Sequence, residues 1–207
     1  IVPPEGLQRL LDRFDASAFD APAGRAQIRL RVVGDSFKPL GARYHPPFFA
    51  DSVIELMDVL GLARAHVIGN RMGGRVALEL GLRYPERVRG LVLLAPSPAS
   101  TSSCVRIHVA GARQIYLEKP HGAKGFWTRL PGLEAPSLFV RGKHDGLVPI
   151  KFKAHVRSTL PSARHVELDC GHVPQIERRA ETHAAIAAFL QCDGRLGERC
   201  PGNGEPS

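Results

Sequence analysis

Gly69-Asn70-Arg71-Met72-Gly73-Gly74 has the spacing of a turn built to present a nucleophile, with an arginine at the presenting position. In a Gly-x-Ser-x-Gly turn the middle residue is held exposed, on a strained backbone, between a strand and a helix. Glycines are expected at 69 and 73, because the chain crowds itself there and a Cβ would clash. Arg71 cannot attack a carbonyl: its guanidinium stays protonated at all biological pH. Two other residues could serve such a turn. Asp145 lies in Gly142-Lys143-His144-Asp145-Gly146-Leu147-Val148-Pro149. Its carboxylate could orient an imidazole, or it could be a loop aspartate that caps the helix expected near Pro149. His172, in Cys170-Gly171-His172, could be a general base or one surface histidine among nine. His144 reads as a neighbour of Asp145 with no part in the chemistry.

Three readings of Arg71 stay open. The site is dead and the arginine is a tolerated substitution. Or the arginine is selected, pairing with Asp145 or binding an anionic ligand. Or it records an error or a recent mutation, since serine and arginine codons can differ by one base. Other residues do not replace the nucleophile: Ser36 and Ser97 sit on no strained turn, and Cys170 reads as a small buried residue.

Strands and helices in alternation position these residues. A short apolar run at 65–68 predicts a buried strand, and a helix is predicted from about Met72 to Tyr84, apolar on one face and stopped by Pro85. Further strands are predicted over 89–94, 137–141 and 163–168, and further helices over 47–60, 149–160 and 181–190. Gly61 is expected to end the helix over 47–60, whose apolar face carries Phe49, Val53, Leu56 and Leu60. Near the N-terminus a short helix from Glu5 and a strand over 27–33 are expected. Residues 97–133 read as irregular, and the Gly-, Pro- and charge-rich stretch 191–207 as a disordered tail. Strands alternating with helices predict an α/β fold in a single domain, 1–190, with a mostly parallel, doubly wound sheet and helices on both faces.

The motifs resemble the α/β-hydrolase family over about residues 38–98 and 125–190, with nucleophile position, acid and histidine in that family's order. The resemblance is closest to its small esterases, carbon–carbon-bond hydrolases and cofactor-free haloperoxidases, which carry a Ser-Met-Gly-Gly turn. Pro85-Glu86-Arg87-Val88-Arg89-Gly90-Leu91-Val92-Leu93-Leu94 is similar to the segment after that family's turn helix. Gly34-Asp35-Ser36-Phe37-Lys38-Pro39 is similar to a loop after one of its core strands, and 170–177 to its histidine loop. The resemblance implies that Asp145 orients His172, that His172 acts as base, and that the Met72 N–H helps hold an oxyanion. It also implies a trimmed N-terminus, a reduced cap at 97–133, and a missing donor, because residues 1–60 contain no His-Gly pair. Acyl transfer on small esters or carboxylic acids, including peracid formation, needs no cofactor and no metal. The expected function is hydrolase or peroxidase-like by descent, impaired or inactive because of Arg71. The alternative is a non-catalytic binding or scaffold protein that uses the old pocket.

Composition narrows the rest. The chain has 207 residues, 43% of them hydrophobic, enough for one substantial core. Its formal charge of +8 comes mostly from scattered arginines without a nucleic-acid-binding motif, so no nucleic-acid partner is expected. No membrane span or signal peptide is read from it. Cys104, Cys170, Cys192 and Cys200 have no metal or redox spacing, and free thiols in a reducing, cytoplasmic compartment are expected.

Overall fold

The computed structural model describes residues 45–96, 126, 128–148 and 150–191. The helix expected from Glu5, the strand over 27–33, the Gly34 loop, residues 97–125 of the cap region, and the tail from 192 lie outside them. The chain divides into two compact units, residues 1–63 with 100–120, and residues 64–99 with 121–207.

In the first unit, helix α1 (Pro46–Val59) opens with a proline where the missing N–H costs nothing. The Nδ1 of His45 accepts the Phe48 N–H at 3.1 Å. The helix ends as a Schellman turn: the N–H of Gly61, at φ 66, bonds to the Asp58 carbonyl and that of Leu62 to the Met57 carbonyl. Phe49, Val53 and Leu56 of the expected face are buried, joined by Ala50 and Met57.

The second unit is built on four parallel strands in the order β1 (Ala65–Asn70), β2 (Val88–Leu94), β3 (Ser137–Gly142) and β4 (Arg164–Leu168). Helix α2 (Met72–Arg83) joins β1 to β2, and α3 (Ile150–Thr159) joins β3 to β4. A short α4 (Pro174–Glu177) and then α5 (Arg179–Gln191) follow. The fold class is the expected one, a parallel sheet with helices. Six of the seven residues of β2 are buried, as a parallel strand covered on both faces requires. Leu138 and Val140 of β3 join Val92, Leu94 and Phe189 of α5 in one cluster. Phe139 and Arg141 alternate to the other face, where Arg141 lies over the Phe152 ring of α3. Residues 128–132, at the end of the stretch expected to be irregular, are instead helical.

Helix α2 departs from its expected single apolar face. Every residue from Gly74 to Gly81 is buried, and eight consecutive residues wrap the whole helix. Two of them are charged. Glu79 Oε1 accepts from Arg75 Nη2 at 2.6 Å and from Arg129 Nη2 at 2.9 Å, and Oε2 accepts from Arg129 at 3.0 Å. The Arg75 guanidinium lies 3.6 Å from the centre of the Phe126 ring. Burial pushes the Glu79 carboxyl up, but Arg75 and Arg129 outweigh it and hold it below the usual carboxylate range.

The turn between β1 and α2 fixes residue 71. Arg71 adopts φ 50 and ψ −113, a conformation that L residues rarely take. Its N–H bonds to the Leu94 carbonyl at 3.0 Å, and its carbonyl accepts from the Arg75 N–H at 3.2 Å. A Cβ at Gly69 would run into the Gly73 carbonyl and stand 2.7 Å from the Gly74 nitrogen. The expectation for Gly73 is corrected: a Cβ there meets nothing within 4 Å. The second crowded glycine is Gly74, whose Cβ would lie 2.9 Å from the Pro96 Cβ. Gly73 sits in the first turn of α2 with its α-carbon facing open space, so spacing alone names the wrong glycine.

Two stability measurements check this packing. Gly73→Ala should leave the urea midpoint unchanged or raise it, by up to about 1 kcal/mol from helix propensity, whereas Gly69→Ala should lower it clearly. A midpoint loss for Gly73→Ala equal to that for Gly69→Ala contradicts the open space. Glu79→Ala leaves the buried Arg75 unpaired and should cost about 3–5 kcal/mol, much of it recovered in an Arg75→Leu/Glu79→Leu double variant. A loss below 1 kcal/mol would show that the cluster carries no such weight.

Candidate active site

Parallel strands send their C-terminal ends to one edge of the sheet, and the loops that leave this edge carry positions 71, 145 and 172. Backbone bonds stitch the edge together. The Ala95 N–H bonds to the Val140 carbonyl at 2.9 Å, that of Lys143 to Leu168 at 2.8 Å, and that of His144 to Cys170 at 3.0 Å. A Cβ at Gly142 would collide with the carbonyls of Cys170 and Gly171, so only glycine lets the aspartate loop lie against the histidine loop. Ala95, at φ 41, is the other described non-glycine residue with positive φ, and it sits at the same edge.

Asp145 and His172 meet there. Asp145 Oδ2 lies 2.9 Å from His172 Nδ1, and its side chain is fully buried. Asp145 Oδ1 accepts the N–H groups of Leu147 at 2.9 Å and Val148 at 3.1 Å. The loop-aspartate and imidazole-partner roles are thus filled by the two oxygens of one carboxylate. Burial pushes this carboxyl up, but the His172 bond and the two backbone N–H groups outweigh it, and its pKa lies below the ordinary value. An ionised carboxylate can only accept, so the proton between them sits on Nδ1. Nε2, the other ring nitrogen, is buried and has no hydrogen-bond partner among the described residues.

Glu177 braces the histidine loop, a role its sequence did not announce. Its Oε2 accepts the Gly171 N–H at 2.7 Å and its Oε1 the Val173 N–H at 2.8 Å, one bond on each side of His172. Thr182 Oγ1, buried, bonds to the Pro174 carbonyl at 2.9 Å and ties α5 to the same loop. Glu177 falls five residues after His172, on the short α4, and this spacing was the available signal.

Arg71 stands apart. Its side chain is exposed and makes no hydrogen bond or ion pair among the described residues. The suggested pairing of Arg71 with Asp145 is corrected: both Asp145 oxygens are taken. Met72 heads α2, where the first N–H groups have no acceptor within the helix. His144 turns away and pairs with Asp169 at 2.8 Å. Cys170 is a buried free thiol whose pKa burial pushes up, so it is no ready nucleophile. Among the described residues, no three metal-ligating side chains gather, and no helix is long and apolar enough to cross a membrane.

Comparison with known proteins places this geometry. A family profile described as the alpha/beta hydrolase fold matches residues 30–111, which include β1, the Arg71 turn, α2 and β2. The chain is 24% identical over 205 residues to 2-hydroxymuconate semialdehyde hydrolase of Pseudomonas sp. strain CF600, spanning 76% of this chain and 72% of that one. It is 42% identical over 164 residues to a protein of Caulobacter vibrioides assigned as carbamate hydrolase RutD, spanning 77% of this chain but only 51% of that protein. The chain therefore matches about half the length of that relative. Among solved structures, the enol-lactonase of Burkholderia xenovorans LB400 superposes with a TM-score of 0.62 at 22% identity, over 78% of each chain. The parallel sheet, the strained turn and these matches agree: the chain has the α/β-hydrolase fold.

Proposed function

We propose that this chain is a hydrolase-family protein with an assembled acid–histidine pair and no nucleophile, and so with little or no acyl-transfer activity of its own. The observation that carries this reading is the unpartnered His172 Nε2, backed by Asp145, at a sheet edge where the strained turn presents an arginine. Asp145 holds the imidazole in the tautomer that leaves Nε2 ready to take a proton. In a serine hydrolase that proton comes from the hydroxyl on the strained turn. Arg71 offers only N–H donors on a fixed positive charge, so nothing can be activated as nucleophile. The relatives are a 2-hydroxymuconate semialdehyde hydrolase and, by assignment, a carbamate hydrolase, and the similar solved structure is an enol-lactonase. We read the ancestral chemistry as attack on a carbonyl of a small ester, carbamate or carboxylic acid. Peracid formation would use the same positions and meets the same obstacle.

A second reading belongs to another class. An exposed guanidinium with no partner among the described residues, at the edge that carries His172, suits a non-catalytic site for a small carboxylate. The two readings part at one measurement, since a binding protein saturates with acetate or benzoate and loses that binding in Arg71→Ala.

The test of the first reading is restoration. Wild type should show no labelling by a fluorophosphonate and no hydrolysis of a short nitrophenyl ester above that of His172→Ala. Arg71→Ser should become labelled at residue 71 and hydrolyse the ester weakly, because the lack of a His-Gly pair in residues 1–60 implies one oxyanion donor fewer, a loss that costs about a hundred- to a thousand-fold. His172→Ala should abolish that gain. A folded Arg71→Ser protein without labelling would show that Asp145 and His172 do not serve position 71.

The Asp145–His172 pair also sets an acid limit. The folded pKa of Asp145 is depressed, so its stabilisation is complete above the ordinary carboxylate value of about 3.9 and is lost as pH falls through the lower folded value. Melting temperature should fall on acidification below about pH 4, and less steeply in Asp145→Asn, which has no such charge to lose. Parallel curves for the two proteins would mean that Asp145 is not held ionised.

A further inference from the structure

A second constellation lies on the α3 face of the sheet, away from His172. Arg141, on β3, is only 3% exposed, and its Nε and Nη2 are buried without a hydrogen-bond partner among the described residues. Those two nitrogens form the side edge of a guanidinium, whose parallel N–H groups match the two oxygens of a phosphate or carboxylate. The guanidinium is held from behind by aromatic rings, 5.0 Å from the Phe139 centre and 5.4 Å from that of Phe152. It lines a cavity of about 320 Å³ shared with Lys143, Lys153, Arg157, His165 and Glu167. The lining therefore sets four cations against one carboxylate. Glu167, the cross-strand neighbour of Arg141, and Asp145 attract its charge without bonding to it, and Glu167 Oε1 also lies 3.7 Å from Arg157. Lys153 donates to the Gly142 carbonyl at 2.8 Å and keeps two further N–H groups. His165 stacks on Phe139 with centroids 5.1 Å apart, and burial lowers its pKa, so it remains neutral at pH 7. Burial lowers Arg141 to about 10, which still leaves it charged at neutral pH.

A buried, charged side chain with two unmet donors is costly unless something completes it. The rest of the lining repels cations. The volume exceeds that of a lone anion and lies at the small end of organic ligand pockets. We propose that this cavity is a binding site for a small phosphorylated molecule, whose charge Lys143, Lys153 and Arg157 balance and whose phosphoryl oxygens reach the Nε–Nη2 edge of Arg141 once the guanidinium shifts, since that edge is closed to solvent in the empty cavity. The site is independent of residue 71 and needs no chemistry there.

Calorimetric titration at pH 7 and constant ionic strength tests it, with inorganic phosphate and glycerol 3-phosphate as probes and sodium chloride as control. One or both probes should saturate wild type with a dissociation constant of about 1 mM or tighter. Binding by glycerol 3-phosphate alone assigns the site to the ester, and binding by both assigns it to the phosphoryl group. Arg141→Leu and Arg141→Lys should each weaken binding at least tenfold, the lysine variant because it keeps the charge but not the fork. Phosphate should raise the melting temperature of wild type more than that of Arg141→Leu. In wild type itself, the Nε–H resonance of Arg141 should shift saturably with phosphate, a readout that does not depend on any variant folding. No saturable heat up to roughly 20 mM, equal binding in the Arg141 variants, or a resonance that does not move overturns the site.

Discussion

The close passage of Gly69 under the first turn of α2 is the constraint on which the sheet edge depends. Once that backbone contact forms, the chain can leave β1 only through a residue with φ near +50, whatever its side chain. Such a conformation costs on the order of 1–3 kcal/mol and survives only where its surroundings over-determine it. Here they do. The Arg71 N–H is bound to β2, its carbonyl to Arg75, and α2 is buried around its full circumference and anchored by the Glu79 cluster. The strain is therefore a property of the joint between strand and helix. It does not rely on a nucleophile, since the joint holds this geometry with an arginine at position 71.

The elements around the site were legible because each is set by local signals. The apolar runs at 65–68 and 137–141 are strands as expected, but only the second is buried, because β1 ends the order of described strands and Ile68 is 51% exposed; Pro85 stops α2 where its N–H would be needed. Asp145 and His172 were legible as loop residues after strands, and the parallel sheet delivers both to one edge. What stayed hidden was long-range. The Arg129–Glu79 bond joins residues 50 apart, and no periodicity encodes it. Which glycine is crowded depends on where Pro96 passes, so spacing favoured Gly73 and packing chose Gly74. Glu177 is an exposed carboxylate, yet its two oxygens clamp the loop on both sides of His172.

The polar bookkeeping of the edge separates folding from chemistry. Asp145 is saturated: one oxygen orders its own loop and the other crosses to His172. Buried carboxylates need such satisfaction for the fold to tolerate them. Among the described residues, His172 Nε2 and Gln175 Oε1 are the atoms of this edge that are buried without a hydrogen-bond partner. A ring nitrogen left short in this way points to a partner supplied from elsewhere. In a serine hydrolase that partner is the hydroxyl on the strained turn.

Two arginines on neighbouring loops and strands of this sheet carry opposite energetic burdens. Arg71 is solvated, so its charge is never stripped of water, and its replacement of a small hydroxyl costs the fold little beyond the turn's existing strain. It can stay without a partner. Arg141 has lost its water to β3, Phe139 and Phe152, and two of its nitrogens have recovered no bond in exchange. Leaving buried donors unmade costs more than a typical hydrogen bond gains, and more again when the group is charged. A hydrophobic residue of similar volume would spare the fold that cost, so the strand carries Arg141 at a net loss unless an anion repays it. The difference in burial separates the two: Arg71 keeps its water without a partner among the described residues, whereas the burial of Arg141 is what favours the anion we propose for it.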